Sequence, residues 1–160
     1  AEHHLSHFWE MHIINKPTDA LHGERVGVAA LMLTRYYHAM RDYDFMRPVN
    51  LAATFDRSYL EPVYRDLTDG ILRENLTDGE VSSSPLAFVP DAEKAEKVRA
   101  EIDSLISPEA LERLLRLGGA PTTLSELGLP DDEEFIKRTL GFAPYVRKRL
   151  TLLKVLSAKR

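Results

Sequence analysis

The 160-residue sequence contains no cysteine, which excludes disulfides, thiolate zinc sites and cysteine nucleophiles. It also lacks a long hydrophobic run, since its most apolar segment, 26–33, is far shorter than the ~20 residues of a membrane span. No signal peptide with a basic start and an apolar centre is present. The net charge of −4 lacks the basic excess of a general nucleic-acid binder. We therefore expect a cytoplasmic protein with no membrane span and no nucleic-acid partner.

Helical periodicity dominates the chain, and no segment keeps the two-residue alternation of a half-buried strand. The apolar fraction of 44% and the charged fraction of 29% are ordinary for a globular domain. We predict an all-α helical bundle in which residues 1–160 form a single domain. The predicted helices are 2–14, 22–41, 58–67, 70–76, 91–105, 108–117 and 144–156, with predicted loops at 42–55 and 77–90.

Local signals predict how several helices begin, end and pack. Ser107 is a capping residue followed by proline, and Gly118-Gly119 is a stop signal. Gly27 costs ~1 kcal/mol relative to alanine in a helix, and its expected benefit is close approach by a neighbouring helix or ligand. Two buried faces are predicted: Leu5, Phe8, Trp9 and His12 in the first helix, and Tyr145, Leu150, Leu153 and Leu156 in the last.

All six histidines lie in the first quarter of the chain, and none follows His38. His3 and His7 are four residues apart, so both rings project from one face of a helix, with Cβ atoms roughly 5–6 Å apart. His22 stands at the mouth of the most apolar helix. A single histidine is more often a core or capping residue, and a tag remnant would explain His3 and His4 alone. His7 and His22 do not fit a tag, so the set predicts a metal or catalytic site.

We predict that His3 and His22 bind a divalent metal, because neutral imidazole is a common ligand of zinc, nickel and iron. A catalytic metal needs about three protein ligands, and the third has no obvious source here, since Glu2 and Glu24 adjoin the histidines but point elsewhere. We expect that ligand outside this chain. His7 is predicted to face the same cavity, holding substrate hydroxyls or relaying a proton; the alternative is a buried histidine bonded to a backbone carbonyl.

These motifs carry a family resemblance. Glu2-His3-x-x-x-His7, followed by residues 21–28 (LHGERVGV), resembles the helical C-terminal domain of the bacterial glycerol-1-phosphate dehydrogenases. Residues 120–128 (APTTLSELG) and 147–153 (RKRLTLL) resemble the tail of the same family. That family belongs to the superfamily of metal-dependent alcohol dehydrogenases, glycerol dehydrogenase and 3-dehydroquinate synthase.

The resemblance implies that His3 and His22 are metal ligands and that His7 lies near the substrate. It implies interconversion of dihydroxyacetone phosphate and glycerol 1-phosphate, with a polyol phosphate as the small-molecule partner. It also implies an upstream nucleotide-binding α/β domain, absent from this chain, that supplies an aspartate ligand and most of the NAD or NADP site. We therefore expect the chain alone to be inactive and to hold metal weakly.

Other readings stay open on sequence alone. A glycerol dehydrogenase or a dehydroquinate synthase-like lyase shares the metal histidines. A non-catalytic helical module, which could self-associate as a homo-oligomer, would need none of this chemistry. A phosphate would need cationic or amide partners, for which Arg25 or the tail group of Arg147, Lys148 and Arg149 are the candidates. A solvated helix face explains the tail equally well, so no phosphate site is assigned.

Overall fold

The structure is a computed structural model that describes residues 1–12, 14–47, 49–50, 55–77, 80–81, 87–88 and 91–158. Eight α-helices lie within these ranges: α1 (Glu2–Glu10), α2 (His22–Ala39), α3 (Arg57–Tyr64), α4 (Thr68–Asn75), α5 (Ala92–Ser104), α6 (Pro108–Leu117), α7 (Glu133–Phe142) and α8 (Leu152–Ser157). The predicted all-α class is confirmed. No helix in the described ranges has both the length and the hydropathy needed to span a bilayer.

Two antiparallel ladders of two residues each accompany the helices. Val49–Asn50 (β1) pairs with Ala87–Phe88 (β4), and Leu76–Thr77 (β2) pairs with Glu80–Val81 (β3). They occur in or next to the tracts predicted as loops and are too short to form a layer. The rest of those tracts, including Pro48 and the run 82–85, lies outside the described residues.

Helix α1 is fixed by the apolar side of its sequence. Leu5, Phe8 and Trp9 are almost completely buried. The ring of Phe8 packs edge-on against Tyr64, with centroids 6.1 Å apart, and the indole N–H of Trp9 donates to Thr139 Oγ1 at 3.1 Å. Burial stabilises each such side chain by about 1.5–3 kcal/mol. This packing holds α1 against α3 and α7 and sets the direction of its other face.

Helix α1 ends at Glu10, so the prediction that it runs to residue 14 was wrong, and His12 is exposed rather than buried. The side-chain amide of Asn15 donates to the carbonyl of Phe8 at 2.8 Å. The same carbonyl also accepts from the Met11 N–H at 3.3 Å, so it is satisfied twice at the point where the helix ends.

The predicted central position of α2 and the predicted start and end of α6 agree with the structure. Helix α2 packs against α1, α5 and α6, which puts this apolar helix at the centre of the bundle, as predicted. Ser107 Oγ accepts from the Ala110 N–H at the start of α6, and α6 ends at Gly118-Gly119, as predicted. A Cβ placed on Gly27 would lie 3.3 Å from Leu115 Cδ2, so the absence of a side chain lets α6 approach α2.

The predicted last helix, 144–156, is broken into two pieces. A 3₁₀ turn (Ala143–Val146) is followed by an extended stretch and then by α8. The buried ammonium of Lys154 donates to the carbonyl of Arg147 at 2.7 Å, and Thr151 caps α8 by accepting from the Lys154 N–H. These bonds take the place of helical ones, which explains the break. Leu150 is 36% exposed, contrary to its predicted burial, whereas Tyr145, Leu153 and Leu156 are buried.

Candidate metal and substrate site

The imidazole rings of His3, His7 and His22 come together where α1 meets the start of α2. Ring centroids are 5.4 Å apart for His3 and His22, 5.5 Å for His7 and His22, and 6.2 Å for His3 and His7. The four-residue spacing puts His3 and His7 on one face of α1, and the packing of the two helices brings the first residue of α2 opposite that face. The three residues predicted from the sequence therefore form one cluster.

The cluster is open to solvent rather than buried. His3 and His22 are exposed, and His7 is half-buried, while the next residues of α1 on the inner side are in the core. An ion or a small substrate can therefore reach the rings without any rearrangement of the helices.

Glu10, which sequence reasoning did not single out, organises two of the three rings. Its Oε1 lies 2.8 Å from His22 Nδ1, and its Oε2 lies 3.2 Å from His7 Nδ1. Ser6 Oγ donates to Glu10 Oε1 at 3.2 Å. A carboxylate on Nδ1 favours the tautomer with a proton on that atom and a lone pair on Nε2. That tautomer is the one that binds metal or accepts a substrate proton through Nε2.

The charge of Glu10 is supported by its neighbours. Partial burial would raise the pKa of the Glu10 carboxyl, but the hydrogen bonds with His22, His7 and Ser6 outweigh it and hold the pKa below its ordinary value. Arg25 Nη1 lies 3.4 Å from Glu10 Oε1, and its Nη2 donates to the carbonyl and the hydroxyl of Thr18 at 3.1 Å. Arg25 is thus engaged by the loop and the carboxylate, which disfavours it as a phosphate partner.

Sequence signals for Glu10 did exist. It lies three residues after His7 and seven after His3, a spacing that places it on the same helix face. The carboxylates considered from the sequence were neighbours of the histidines in the chain. One of these, Glu24, caps α2 by accepting from the Leu21 N–H at 2.7 Å.

The donor set fits a metal only in part. Two imidazoles that share a tetrahedral ion have ring centres about 5 Å apart, and the His3–His22 separation of 5.4 Å agrees with that. A carboxylate on the second nitrogen, as at His22, is typical of metal-binding histidines. In the described ranges, however, no three His, Asp or Glu side chains are placed to hold one ion together. His3 and His22 are therefore suited to be two ligands of a metal ion that needs at least one more ligand.

The other three histidines lie outside the cluster. His4 is buried, and its Nδ1 has no hydrogen-bond partner among the described residues. Burial, together with nearby positive charges that include Lys154 and Arg149, lowers the pKa of His4 to about 4, so its ring is neutral at pH 7. His12 is exposed, and His38 Nε2 lies 3.3 Å from the carbonyl of Ile106.

Two cavities open beside the histidine cluster. The larger, about 490 Å³, has His3 and His7 in its wall together with Arg147 and Arg149. The smaller, about 310 Å³, is lined by His7, Glu10 and Arg147 among others. Both volumes are in the range of small-molecule sites. A separate apolar cavity of about 380 Å³ beside α2 and α7 contains none of the histidines.

Comparison with known proteins gives relatives of one kind. The sequence is 28% identical to the glycerol-1-phosphate dehydrogenase (NAD(P)+) of Bacillus licheniformis over 158 residues, which are 98% of this chain and 28% of that protein. It is 28% identical over 159 residues to the enzyme of the same name from Geobacillus stearothermophilus, covering 98% of this chain and 32% of that protein. The corresponding enzyme of Halalkalibacterium halodurans is 27% identical over 158 residues.

The chain is similar in sequence to glycerol-1-phosphate dehydrogenases. The resemblance predicted from the two histidine motifs and the tail is thereby confirmed. The chain spans only about 30% of the length of these curated relatives. No family model matches the sequence, and no solved structure matches it significantly.

Proposed function

We propose that the chain is the helical, metal-binding part of a longer NAD(P)-dependent sn-glycerol-1-phosphate dehydrogenase, which interconverts dihydroxyacetone phosphate and glycerol 1-phosphate. The observation that carries the proposal is the convergence of His3, His7 and His22 at the junction of α1 and α2. His3 and His22 would hold a divalent zinc, nickel or iron ion. When bound, such an ion acts as a Lewis acid toward the reacting oxygen of the substrate.

The chain's own residues have distinct tasks in this proposal. Glu10 orients His22 and His7 through their Nδ1 atoms, which leaves the Nε2 atom of each ring available as a donor. His7 lines both neighbouring cavities, and there it would bind a substrate hydroxyl or relay its proton. The apolar contacts of Phe8 and Trp9 keep α1 rigid, so the spacing of the rings survives binding.

The nicotinamide and the missing metal ligand would come from another part of the longer protein. The chain covers 28% of the relative from Bacillus licheniformis, and in the described ranges no glycine-rich turn of the kind that binds a dinucleotide joins a strand to a helix. We therefore propose that a nucleotide-binding α/β domain completes the site and that the 160-residue chain alone does not turn over.

The test is a comparison of metal content and turnover in the full-length protein. Reduction of dihydroxyacetone phosphate is followed by nicotinamide absorbance before and after chelation, in the wild type and in His3→Ala and His22→Ala. We expect chelation and each substitution to abolish activity while circular dichroism stays helical, and His12→Ala, an exposed histidine outside the cluster, to behave like the wild type.

Three results would contradict the proposal. Full activity of His22→Ala would show that His22 is not a ligand. Turnover by the purified 160-residue chain would show that neither a second domain nor a further ligand is needed. If the protein reduced only a non-phosphorylated substrate, in a metal-dependent reaction, the function would be that of a glycerol dehydrogenase.

A further inference from the structure

We infer that Arg149 and Arg147 bind the phosphate group of the substrate in the cavity that they share with His3 and His7. This inference rests on the proposed function, because it assigns one end of the same substrate. The nearby cation Arg25 does not compete for the role, since Glu10 and Thr18 already occupy its guanidinium.

The first support is the make-up of the cavity wall. The cavity of about 490 Å³ is lined by histidines, among them His3 and His7, and by the two arginines, and Glu2 is the one acidic residue in its lining. A polyol phosphate carries its hydroxyls at one end and its dianionic group at the other. A guanidinium matches a phosphate with two parallel hydrogen bonds, so this wall suits such a ligand at both ends.

The second support is that the charge of Arg149 has no partner among the described residues. Arg149 forms no hydrogen bond or ion pair with any residue in the described ranges. Arg147 has an ion pair with Glu74, at 3.6 Å between Nη1 and Oε1, and both side chains are partly exposed. Exposed pairs of this kind contribute about 0–1 kcal/mol, so a phosphate can draw Arg147 away at little cost.

The third support is the fixed backbone beneath these arginines. Lys154 Nζ donates to the carbonyl of Arg147 at 2.7 Å and to Asn75 Oδ1 at 3.0 Å. The first of these bonds fixes the backbone just after the 3₁₀ turn. Thr151 closes the other end of the stretch by capping α8. The stretch 147–151 is thus anchored at both ends, which holds the two side chains at the cavity.

The chain supplies a matched control for the experiment. Lys148 lies between the two arginines, is exposed and carries the same charge, but it does not line the cavity. We propose Arg149→Gln, Arg147→Gln and Lys148→Gln in the full-length protein, measured at constant ionic strength. The readouts are kcat and KM for dihydroxyacetone phosphate and, separately, the affinity for inorganic phosphate by isothermal titration calorimetry.

We expect Arg149→Gln to raise KM about 10-fold or more with a much smaller change in kcat, and to weaken phosphate binding in parallel. Arg147→Gln should act in the same direction, and Lys148→Gln should match the wild type. Equal losses in Lys148→Gln would overturn the inference, because they would show only a general charge effect. Unchanged KM and unchanged phosphate affinity in Arg149→Gln would overturn it as well.

Failure of the proposed function gives a different result. If the protein lacks turnover with dihydroxyacetone phosphate but binds inorganic phosphate in a manner that depends on Arg149, the dehydrogenase proposal fails and the anion site stands. If turnover is metal-dependent and none of the three variants changes KM, the dehydrogenase proposal stands and the anion site fails.

Discussion

Nδ1 of His22 lies 2.8 Å from Oε1 of Glu10, so one contact joins the first residue of α2 to the last residue of α1. The other carboxylate oxygen lies 3.2 Å from Nδ1 of His7. One side chain thereby sets the orientation of two rings that belong to different helices. The contact between the two helices therefore also fixes how the nitrogen atoms of the two rings are oriented.

Replacing Glu10 with glutamine is expected to weaken metal binding about 10- to 100-fold without unfolding the chain. The amide keeps the shape of the side chain but loses the negative charge, so it no longer favours the Nδ1-protonated form of His22. Competition with a chelator of known affinity measures the effect in the full-length protein. Glu109→Gln, an exposed glutamate in α6, is the control and should leave the affinity unchanged. An unaltered affinity in Glu10→Gln would remove the orienting role.

Some residues of the candidate site can be predicted from the sequence, and others depend on how the helices pack. His3 and His7 follow from the helical period alone, because a four-residue spacing places two side chains on one face. The approach of His22 does not follow from any period, since it depends on how α2 packs on α1. The sequence suggested it through the position of His22 at the start of the most apolar helix and through the resemblance to a known family. Glu10 lies on the same helix face as His3 and His7, but its role depends on the approach of His22, which the helical period does not encode.

Asn75 is predicted to be a strong determinant of stability. It is completely buried, its amide donates to the carbonyls of Ile71 and Tyr145 at 2.9 Å, and its oxygen accepts from Lys154. Asn75→Ala would remove these bonds and leave buried polar groups, with an expected loss of about 2–4 kcal/mol. Urea unfolding followed by circular dichroism measures the change, and Glu109→Gln again serves as the control. A loss below about 1 kcal/mol would contradict this role.

The free energy of unfolding is expected to depend on pH through Lys154, and the burial of this side chain determines whether stability rises or falls with pH. Burial lowers the pKa of Lys154 from its ordinary 10.5 to about 8, with the charge of Glu74 acting in the opposite direction. Below about pH 8 the lysine is charged in both the folded and the unfolded chain, so the full cost of burying the charge opposes folding. Between about pH 8 and 10.5 the unfolded chain holds more protons, so stability rises with pH.

Lys154→Met isolates this contribution, because it lacks the titrating group and keeps a buried side chain of similar length. The free energy of unfolding of the wild type minus that of the variant should increase by about 1–3 kcal/mol between pH 7.5 and pH 10. Other groups that titrate in this window cancel in the difference. A difference that stays constant or falls would show that the Lys154 pKa is not lowered by folding.

The same lysine explains why the last helix was predicted as one piece. Its period of apolar residues, Tyr145, Leu153 and Leu156, is compatible with a continuous helix, and all three are buried. The break arises from bonds between Lys154 and the backbone of Arg147, which periodicity does not encode. The first helix ended early for a similar reason, since the side chain of Asn15 bonds to the Phe8 carbonyl. Side-chain bonds to the backbone thus account for the two wrong boundaries.

Gly27 is expected to control the packing of α6 on α2. In Gly27→Ala the new methyl would lie 3.3 Å from Leu115 Cδ2, the flexible end of a half-buried side chain that must shift by a few tenths of an ångström. The gain in helix propensity, up to about 1 kcal/mol, should therefore be partly lost. Gly70→Ala is the matched control, because a Cβ there meets nothing within 4 Å.

A larger side chain at position 27 distinguishes the effect of helix propensity from the effect of packing against α6. Gly27→Leu has good helix propensity but cannot fit against α6, so we expect a loss of about 2 kcal/mol or more, whereas Gly70→Leu should be close to neutral. Urea unfolding gives the free energies, and protease cleavage near α6 reports whether that helix has moved away. Because α6 does not touch the histidine cluster, metal affinity in the full-length protein should change little. If Gly27→Leu were as stable as Gly70→Leu, close approach of the two helices would not be the reason for glycine at this position.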